Sequence, residues 1–415
     1  MKTCNFVNGE IIAVGDEILR GDTLDTNSNY LLKKLFSLGV RVSYLSAVGD
    51  NREDISNALK KAMERSEYIF LSGGLGPTED DITKETLAEV LGLKIKADEK
   101  LIEHLKKYYE SLGRKLYYSA LKQTYVIEGS KILNNSVGLA PGELIETDNN
   151  KIFILPGPPK EFKAIVEENF SNYINTKFFI EKRSLNCILL GEASTEKHIR
   201  KLNLTDENCQ INTYAKSSHT EVDIICYGKN QNELKEKADN IYLKLRKEFK
   251  GYYFSDDENP SQALVRMLKE NDYTISFAES MTGGLLVSQI TSVSGASKVL
   301  KESFITYSDD AKIKILGVSA ESIKNYKVVS PQVAKEMAYG LKNISHSDIC
   351  VSVTGEAGPN PSVGKVGEVY IGIIYKDKFY DYCLNLLGNR KEIQRNSVDQ
   401  ILAYLIKILG GSDAN

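Results

Sequence analysis

The chain has 415 residues, with 53 Lys and Arg against 56 Asp and Glu and a formal net charge of −3. That length holds two or three domains, and the balance offers no broad basic surface, which argues against nucleic acid as a partner. No run approaches 18 apolar residues, and the opening "MKTCNFVNGEIIAVGDE" turns polar too early for a signal peptide, so no membrane association is expected. Six cysteines (Cys4, Cys187, Cys209, Cys226, Cys350, Cys383) are scattered without a C-x-x-C pair, and the four histidines form no H-x-x-x-H pattern. This usage predicts reduced, mostly buried thiols in a cytoplasmic protein rather than a disulfide frame, a zinc site or a histidine-rich metal centre.

In chain order, "EIIAVG" (10–15) reads as a short buried strand ending in glycine. "TNSNYLLKKLFSLG" (26–39) places Leu31, Leu32, Leu35, Phe36 and Leu38 on one helical face, with Gly39 as its stop. "VRVSYLSAV" (40–48) reads as extended, and the segment after it repeats Ile55, Ala58, Leu59, Ala62 and Met63 at helical spacing. "YIFLSGG" (68–74) and "KIFILPGPP" (151–159) are strands running into glycine or proline turns. Such alternation predicts an α/β fold with a doubly wound parallel sheet, whose ligands bind at the carboxyl ends of the strands. Residues 172–255 change character: "SLNCILLG", "STEKHIRKL", "TEVDIICYG" and a charged helix make a small α+β unit. After the acidic, proline-bearing linker "GYYFSDDENPS" (251–261), strands "TISFAES", "ICVSVTG" and "VYIGIIY" again alternate with helices. The expected architecture is two parallel-sheet-containing α/β domains, 1–171 and 256–415, joined by a small α+β domain, 172–255.

Two constellations carry chemistry. In "SGGLGPTEDDITKE" (72–85), Gly73, Gly74 and Gly76 allow close backbone approach to a ligand, and their N–H groups with the following helix start suit an anion. Asp80 and Asp81 are hard oxygen donors for a divalent ion; equally, Thr78 to Asp81 suit a plain helix N-cap region. In "SFAESMTGGLLVSQI" (276–290), Ser280 stands either as a helix cap or as a nucleophile. The pair Gly283–Gly284 costs a helical turn on the order of 1 kcal/mol each and suits a close ligand, leaving N–H donors for an oxyanion. No histidine is well placed as a base, since His346 precedes a strand. "FITYSDDAKIKILG" (304–317) supplies Lys312, a base if dry and neutral or an exposed helix lysine, and Tyr307, which orients either group, relays the proton or simply packs. "SVTGEAGPNP" (352–361) adds Thr354, Gly355, Gly358 and Pro359 at a further strand end. In "GNRKEIQRNS" (388–397), Arg390 or Arg395 suits a phosphate, with surface ion pairing as the alternative for Arg395.

"GDEILRGDTLDTNS" (15–28), "SGGLGPTEDDIT" and "LPGPPKEF" (155–162) together resemble the molybdopterin-binding-like domain of the CinA family of competence/damage-inducible proteins. The loop also shares its G-G-x-G-x-T-x-x-D-x-T form with molybdopterin-adenylating enzymes. The resemblance implies metal-dependent cleavage of ADP-ribose to AMP and ribose 5-phosphate. Phosphate contact would fall at Gly73, Gly74, Gly76, Thr78 and Lys122, and a divalent metal (Mg²⁺ or similar) at Asp80, Asp81 and Glu17. Where the family has an Asn-Arg-Lys-Gln-Ala run, this chain has "ALKQT" (120–124), keeping Lys122 and Gln123 and losing an arginine that could hold phosphate.

"AESMTGG" (278–284), "FITYSDDAK" (304–312), "SVTGEAGP" and "GNRKEIQR" resemble the C-terminal CinA domain, the nicotinamide mononucleotide (NMN) amidase domain. That resemblance implies hydrolysis of NMN to nicotinate mononucleotide and ammonia, without a cofactor. The family's serine, tyrosine and lysine fall on Ser280, Tyr307 and Lys312, and substrate contacts on Thr282, Gly283, Gly284, Thr354, Gly355, Gly358 and Arg390. Asp309 replaces the usual asparagine, which is expected to alter the protonation of Lys312, and Met281 replaces a more familiar cysteine. The middle unit resembles a KH-type domain but lacks a basic G-x-x-G loop, so it reads as a spacer and homodimer surface. Two other classes stay open: a molybdopterin-type nucleotide-binding protein or transferase, and a non-catalytic competence or DNA-damage accessory protein.

Overall fold

The computed structural model describes residues 7–411 except 112 and 114, so Cys4 lies outside the described residues. Contacts divide the chain into two compact units, 1–181 with 226–236 and 182–225 with 237–415. The expected middle segment, 172–255, is thus split between them.

The first unit is built on a six-stranded sheet in the order Val40–Val48, Val7–Val14, Tyr68–Ser72, Lys151–Leu155, Gly142–Glu146 and Lys131–Leu133. The first four strands run parallel and the last two are antiparallel additions. Because successive side chains of a strand point to opposite faces, the continuous apolar runs feed two cores. Ile11, Phe70 and Phe153 pack with Leu31 and Leu35 of the helix Thr26–Ser37 and with Phe162 and Phe170 of the helix Pro159–Tyr173. Ile12, Ile69, Leu71 and Ile154 pack with Ile55 and Leu59 of Arg52–Arg65 and with Leu87 of Thr83–Leu91.

The second unit carries a five-stranded sheet ordered Phe304–Ile305, Ile275–Glu279, Ile349–Gly355, Glu368–Tyr375 and Lys378–Asn385. Its first three strands are parallel and the last two antiparallel. Phe277, Val351 and Ile373 pack against helices Pro260–Glu270, Leu285–Thr291 and Arg390–Leu409. Ala278, Cys350 and Ile374 face helices Asp309–Leu316 and Pro331–Ser345. A third, four-stranded sheet, ordered Cys209–Ala215, Thr220–Gly228, Phe179–Cys187 and Tyr253–Ser255, accompanies helices Glu192–Leu202 and Gln231–Glu248. The protein is therefore α/β, as its alternation predicts. Among the described residues no helix is long and apolar enough to cross a membrane.

The cysteine expectation needs a correction. Cys187, Cys350 and Cys383 are free thiols, the last exposed, but Cys209 and Cys226 are disulfide-bonded. The cysteines carry no C-x-x-C signature; they lie on the consecutive, hydrogen-bonded strands Cys209–Ala215 and Thr220–Gly228.

The core of the second unit also holds a charged group at a cost. Asp399, on the helix Arg390–Leu409, is buried, and its Oδ2 has no hydrogen-bond partner. Burial pushes its carboxyl up from 3.8 to about 6, against the opposing field of exposed Arg395. Between those two values the folded protein keeps a proton that the unfolded chain has released. Stability is then greatest below the lower value and is lost as pH rises through about 6. The gap is worth at most about 3 kcal/mol. Asp399→Asn is expected to stabilise the protein by roughly 1–3 kcal/mol at neutral pH and by little in acid, read from denaturant melts at both pH values.

Candidate functional site

The strand Ile275–Glu279 ends in a turn that carries the serine. Ser280 is buried, and its Oγ lies 3.0 Å from the Nζ of Lys312. Lys312 belongs to the helix Asp309–Leu316, which is capped by the Ser308 hydroxyl, and it is only 1 % exposed. The backbone carbonyls of Thr306, at 2.9 Å, and Tyr307, at 3.1 Å, also face its Nζ. A neutral amine has two N–H donors and one lone pair. In that form the two carbonyls would take the donors, and the lone pair would be left for the Ser280 hydroxyl. Burial holds the Lys312 pKa below its ordinary 10.5, and the Asp309 carboxylate partly opposes that shift. Lys312 is thus no exposed helix lysine. Ser280 is no helix cap either, since the next helix begins only at Leu285, behind Gly284, with no side-chain cap.

The donors around Ser280 differ from the sequence expectation. Gly283 gives its N–H to the Ser280 carbonyl at 3.1 Å, and Gly284 gives its own to the Glu279 carboxylate at 3.0 Å. Fully buried Glu279 also accepts from the N–H groups of Leu286 and Val287, at 3.2 and 2.9 Å. The N–H groups of this turn left without an intramolecular acceptor among the described residues are those of Met281 and Thr282. They follow the serine directly, where an oxyanion would form after its attack. Gly283 and Gly284 adopt φ of 64° and 94°, a conformation that disfavours any side chain. A Cβ on Gly283 would meet nothing within 4 Å, so backbone geometry rather than a close neighbour requires that glycine. The side-chain oxygens of Thr282 and Thr306 are buried without a hydrogen-bond partner.

Tyr307 gives its carbonyl to Lys312 but turns its side chain outward, 61 % exposed. Its hydroxyl accepts a 3.0 Å bond from Nη2 of Arg390, whose Nη1 donates to the Gly358 carbonyl at 2.7 Å. Gln394, one turn along the same helix, donates to the Met281 carbonyl at 2.6 Å. Thr354 and Gly355 close the neighbouring strand; the Thr354 hydroxyl is spent on the Val328 carbonyl at 3.0 Å, and a Cβ on Gly355 would strike the Glu368 carbonyl at 2.8 Å. His346 lies before the opposite end of that strand. Sequence reasoning missed Glu279, Thr306 and Gln394. Of these, only the glutamate closing the apolar run "ISFAE" offered a signal.

In the first unit, a cavity of about 720 Å³ opens where three parallel strands end, lined by Glu17, Gly73, Gly74, Gly76, Thr78, Asp80 and Asp81. Lys122 stands behind this loop: its Nζ donates to the carbonyls of Thr78, at 2.9 Å, and Asp81, and pairs with Glu85 at 3.6 Å. Gln123 lines the cavity instead. Asp81 is engaged within the loop, where its Oδ2 accepts from the Thr78 N–H at 2.9 Å and from the Thr78 hydroxyl. Gly73 is needed by the fold itself, with φ of 110° and the Val14 carbonyl 2.1 Å from where a Cβ would stand. Two lining residues escaped the sequence reading. Asn27 is buried with its Oδ1 unpartnered. Asp50 has its carboxyl pushed up by burial, with the charges of Glu17, Asp16 and Asp81 adding to the rise. A divalent cation would relieve that crowding of negative charge. Among the described residues no three acidic, histidine or cysteine side chains are grouped to hold a metal on their own.

Residues 257–409 match the family described as "CinA C-terminal domain", and residues 10–176 match the "Probable molybdopterin binding domain" family. A "Putative competence-damage inducible protein" of Thermoanaerobacter pseudethanolicus is 37% identical over 411 residues, covering 97% of this chain and 99% of that protein. A "CinA-like protein" of Dictyoglomus turgidum is 36% identical over 390 residues, covering 93% of this chain and 95% of that one. Among solved structures, the protein CinA of Thermoplasma acidophilum is 35% identical, covering 41% of this chain and 99% of its own, with a TM-score of 0.38. Since relatives of this identity align along nearly the whole length, the chain belongs to the CinA family of competence-damage inducible proteins.

Proposed function

We propose that the second unit is an amidase that converts NMN and water to nicotinate mononucleotide and ammonia. The observation that carries this reading is the 3.0 Å contact between buried Lys312 Nζ and Ser280 Oγ, with two carbonyls occupying the remaining amine donors. Lys312 takes the hydroxyl proton as Ser280 Oγ bonds to the carboxamide carbon. The oxyanion rests on the N–H groups of Met281 and Thr282. Lys312 returns the proton to the departing nitrogen, the C–N bond breaks and ammonia leaves. Water then adds to the acyl-enzyme by the same route, releasing the carboxylate and restoring Ser280. No step calls for a metal. The test is ammonia release from NMN by the purified protein in the presence of a chelator. No release above a no-enzyme control rejects the reading.

For the first unit, the cavity with its glycine loop and crowded carboxylates favours a second activity, hydrolysis of ADP-ribose to AMP and ribose 5-phosphate. Glu17, Asp50, Asp80 and Asp81 line the cavity, and one or two of these carboxylates, with pyrophosphate oxygens, would hold a divalent metal that offsets the charge of the pyrophosphate. Asp81→Ala, which also frees Thr78, is expected to cut AMP formation by about 10²-fold or more in the presence of Mg²⁺. Undiminished AMP release by that variant removes Asp81 from the site.

A further inference from the structure

We infer that the Tyr307 hydroxyl serves the phosphate end of the substrate: Tyr307 is a positioning residue that holds Arg390, and takes no part in moving the proton at Ser280. The inference rests on the amidase reading and assigns a role within the same site. Lys312 Nζ is bonded to Ser280 Oγ, to the Thr306 carbonyl and to the Tyr307 carbonyl, and the phenol is not among its partners. The phenol instead points outward and receives Nη2 of Arg390 at 3.0 Å, while Nη1 is held by the Gly358 carbonyl at 2.7 Å.

A guanidinium has five N–H donors. Two are spent on this clasp. The remaining three are fixed in direction by a rigid planar group clamped at two corners, which suits the oxygens of a phosphomonoester dianion. The helix that begins at Arg390 does not compete for the anion. In its first turn the N–H groups of Lys391 and Glu392 are taken by the Asn389 side chain, and Glu392 in turn accepts the Asn389 N–H. The anion is thus left to Arg390, its guanidinium and its own N–H. Without the clasp, a long exposed side chain must be ordered afresh at each binding event.

The experiment measures ammonia release kinetics and the calorimetric Kd of NMN for wild type, Tyr307→Phe, Arg390→Ala and the double variant. Tyr307→Phe is expected to raise KM and Kd roughly tenfold, with kcat within about twofold and the pH profile of kcat unmoved. In the Arg390→Ala background the same change should add nothing, because the two residues act as one unit. A fall in kcat at unchanged KM, a moved pH profile, or additive losses in the double variant would overturn the inference. Failure of the amidase reading looks different: wild type then binds NMN without releasing ammonia, and the Kd series still decides the clasp. A wild type that neither binds nor hydrolyses NMN overturns both.

Discussion

Ser280→Ala is expected to reduce ammonia release from NMN by at least about 10⁴-fold while leaving the protein folded. The size follows from what is removed: no other nucleophile is bonded to the Lys312 amine. Stability should stay within about 1 kcal/mol of wild type, because Lys312 keeps both carbonyl partners and the methyl group fits the space of the buried serine. Circular dichroism melts and ammonia assays on the same preparation check the two halves together. A folded variant with wild-type turnover would falsify the serine mechanism outright. The activity proposed for the first unit serves as an internal control, since AMP release from ADP-ribose should be unaffected.

Lys312→Met is expected to lower turnover by about 10²–10⁴-fold, the range for loss of a general base. It should also change how stability depends on pH. The folded-state pKa of Lys312 lies below the ordinary 10.5 because the side chain is buried. Between the two values the unfolded chain binds a proton that the folded protein does not, so wild-type stability rises with pH across that window. Below it, the penalty of burying the amine is present in full. Methionine removes this dependence, so the variant's stability relative to wild type should fall as pH approaches 10.5, read from denaturant melts in steps of pH. The activity of wild type should rise with pH as the amine loses its proton. Asp309→Asn should move that rise to lower pH, because the Asp309 carboxylate favours the charged lysine. A pH profile identical in wild type and Asp309→Asn would show that Lys312 is not the group that titrates.

Several features were legible along the chain. The strand runs "EIIAVG", "YIFLSGG" and "KIFILPGPP" gave both their buried character and the end of the sheet at which the cavity opens. Ser280, Lys312, Tyr307 and Arg390 could be named as candidates from residue type and motif order. Their roles could not be separated, because a serine before glycines suits a cap as well as a nucleophile. Glu279 is the instructive omission. In sequence it is one more acid beside a strand; in the fold it absorbs three N–H groups, that of Gly284 among them, and with Gly283 bonded to the Ser280 carbonyl the free donors are those of Met281 and Thr282. Lys122 is the converse case, a residue placed by motif at a phosphate and by the fold behind the loop, on two carbonyls.

The sequence by itself determined the α/β class, the family and the two neighbourhoods where chemistry is concentrated. It could do so because hydrophobic period, glycine turns and motif order are local properties of the chain. The tertiary structure alone decided that Lys312 is dry, that its Nζ lies against Ser280 Oγ, and that the Tyr307 hydroxyl faces Arg390 instead. The disulfide bonding of Cys209 and Cys226 belongs with these. Burial and hydrogen-bond partnership depend on residues 32 or 83 positions apart coming within 3 Å, and nothing in the local pattern of either segment specifies that distance.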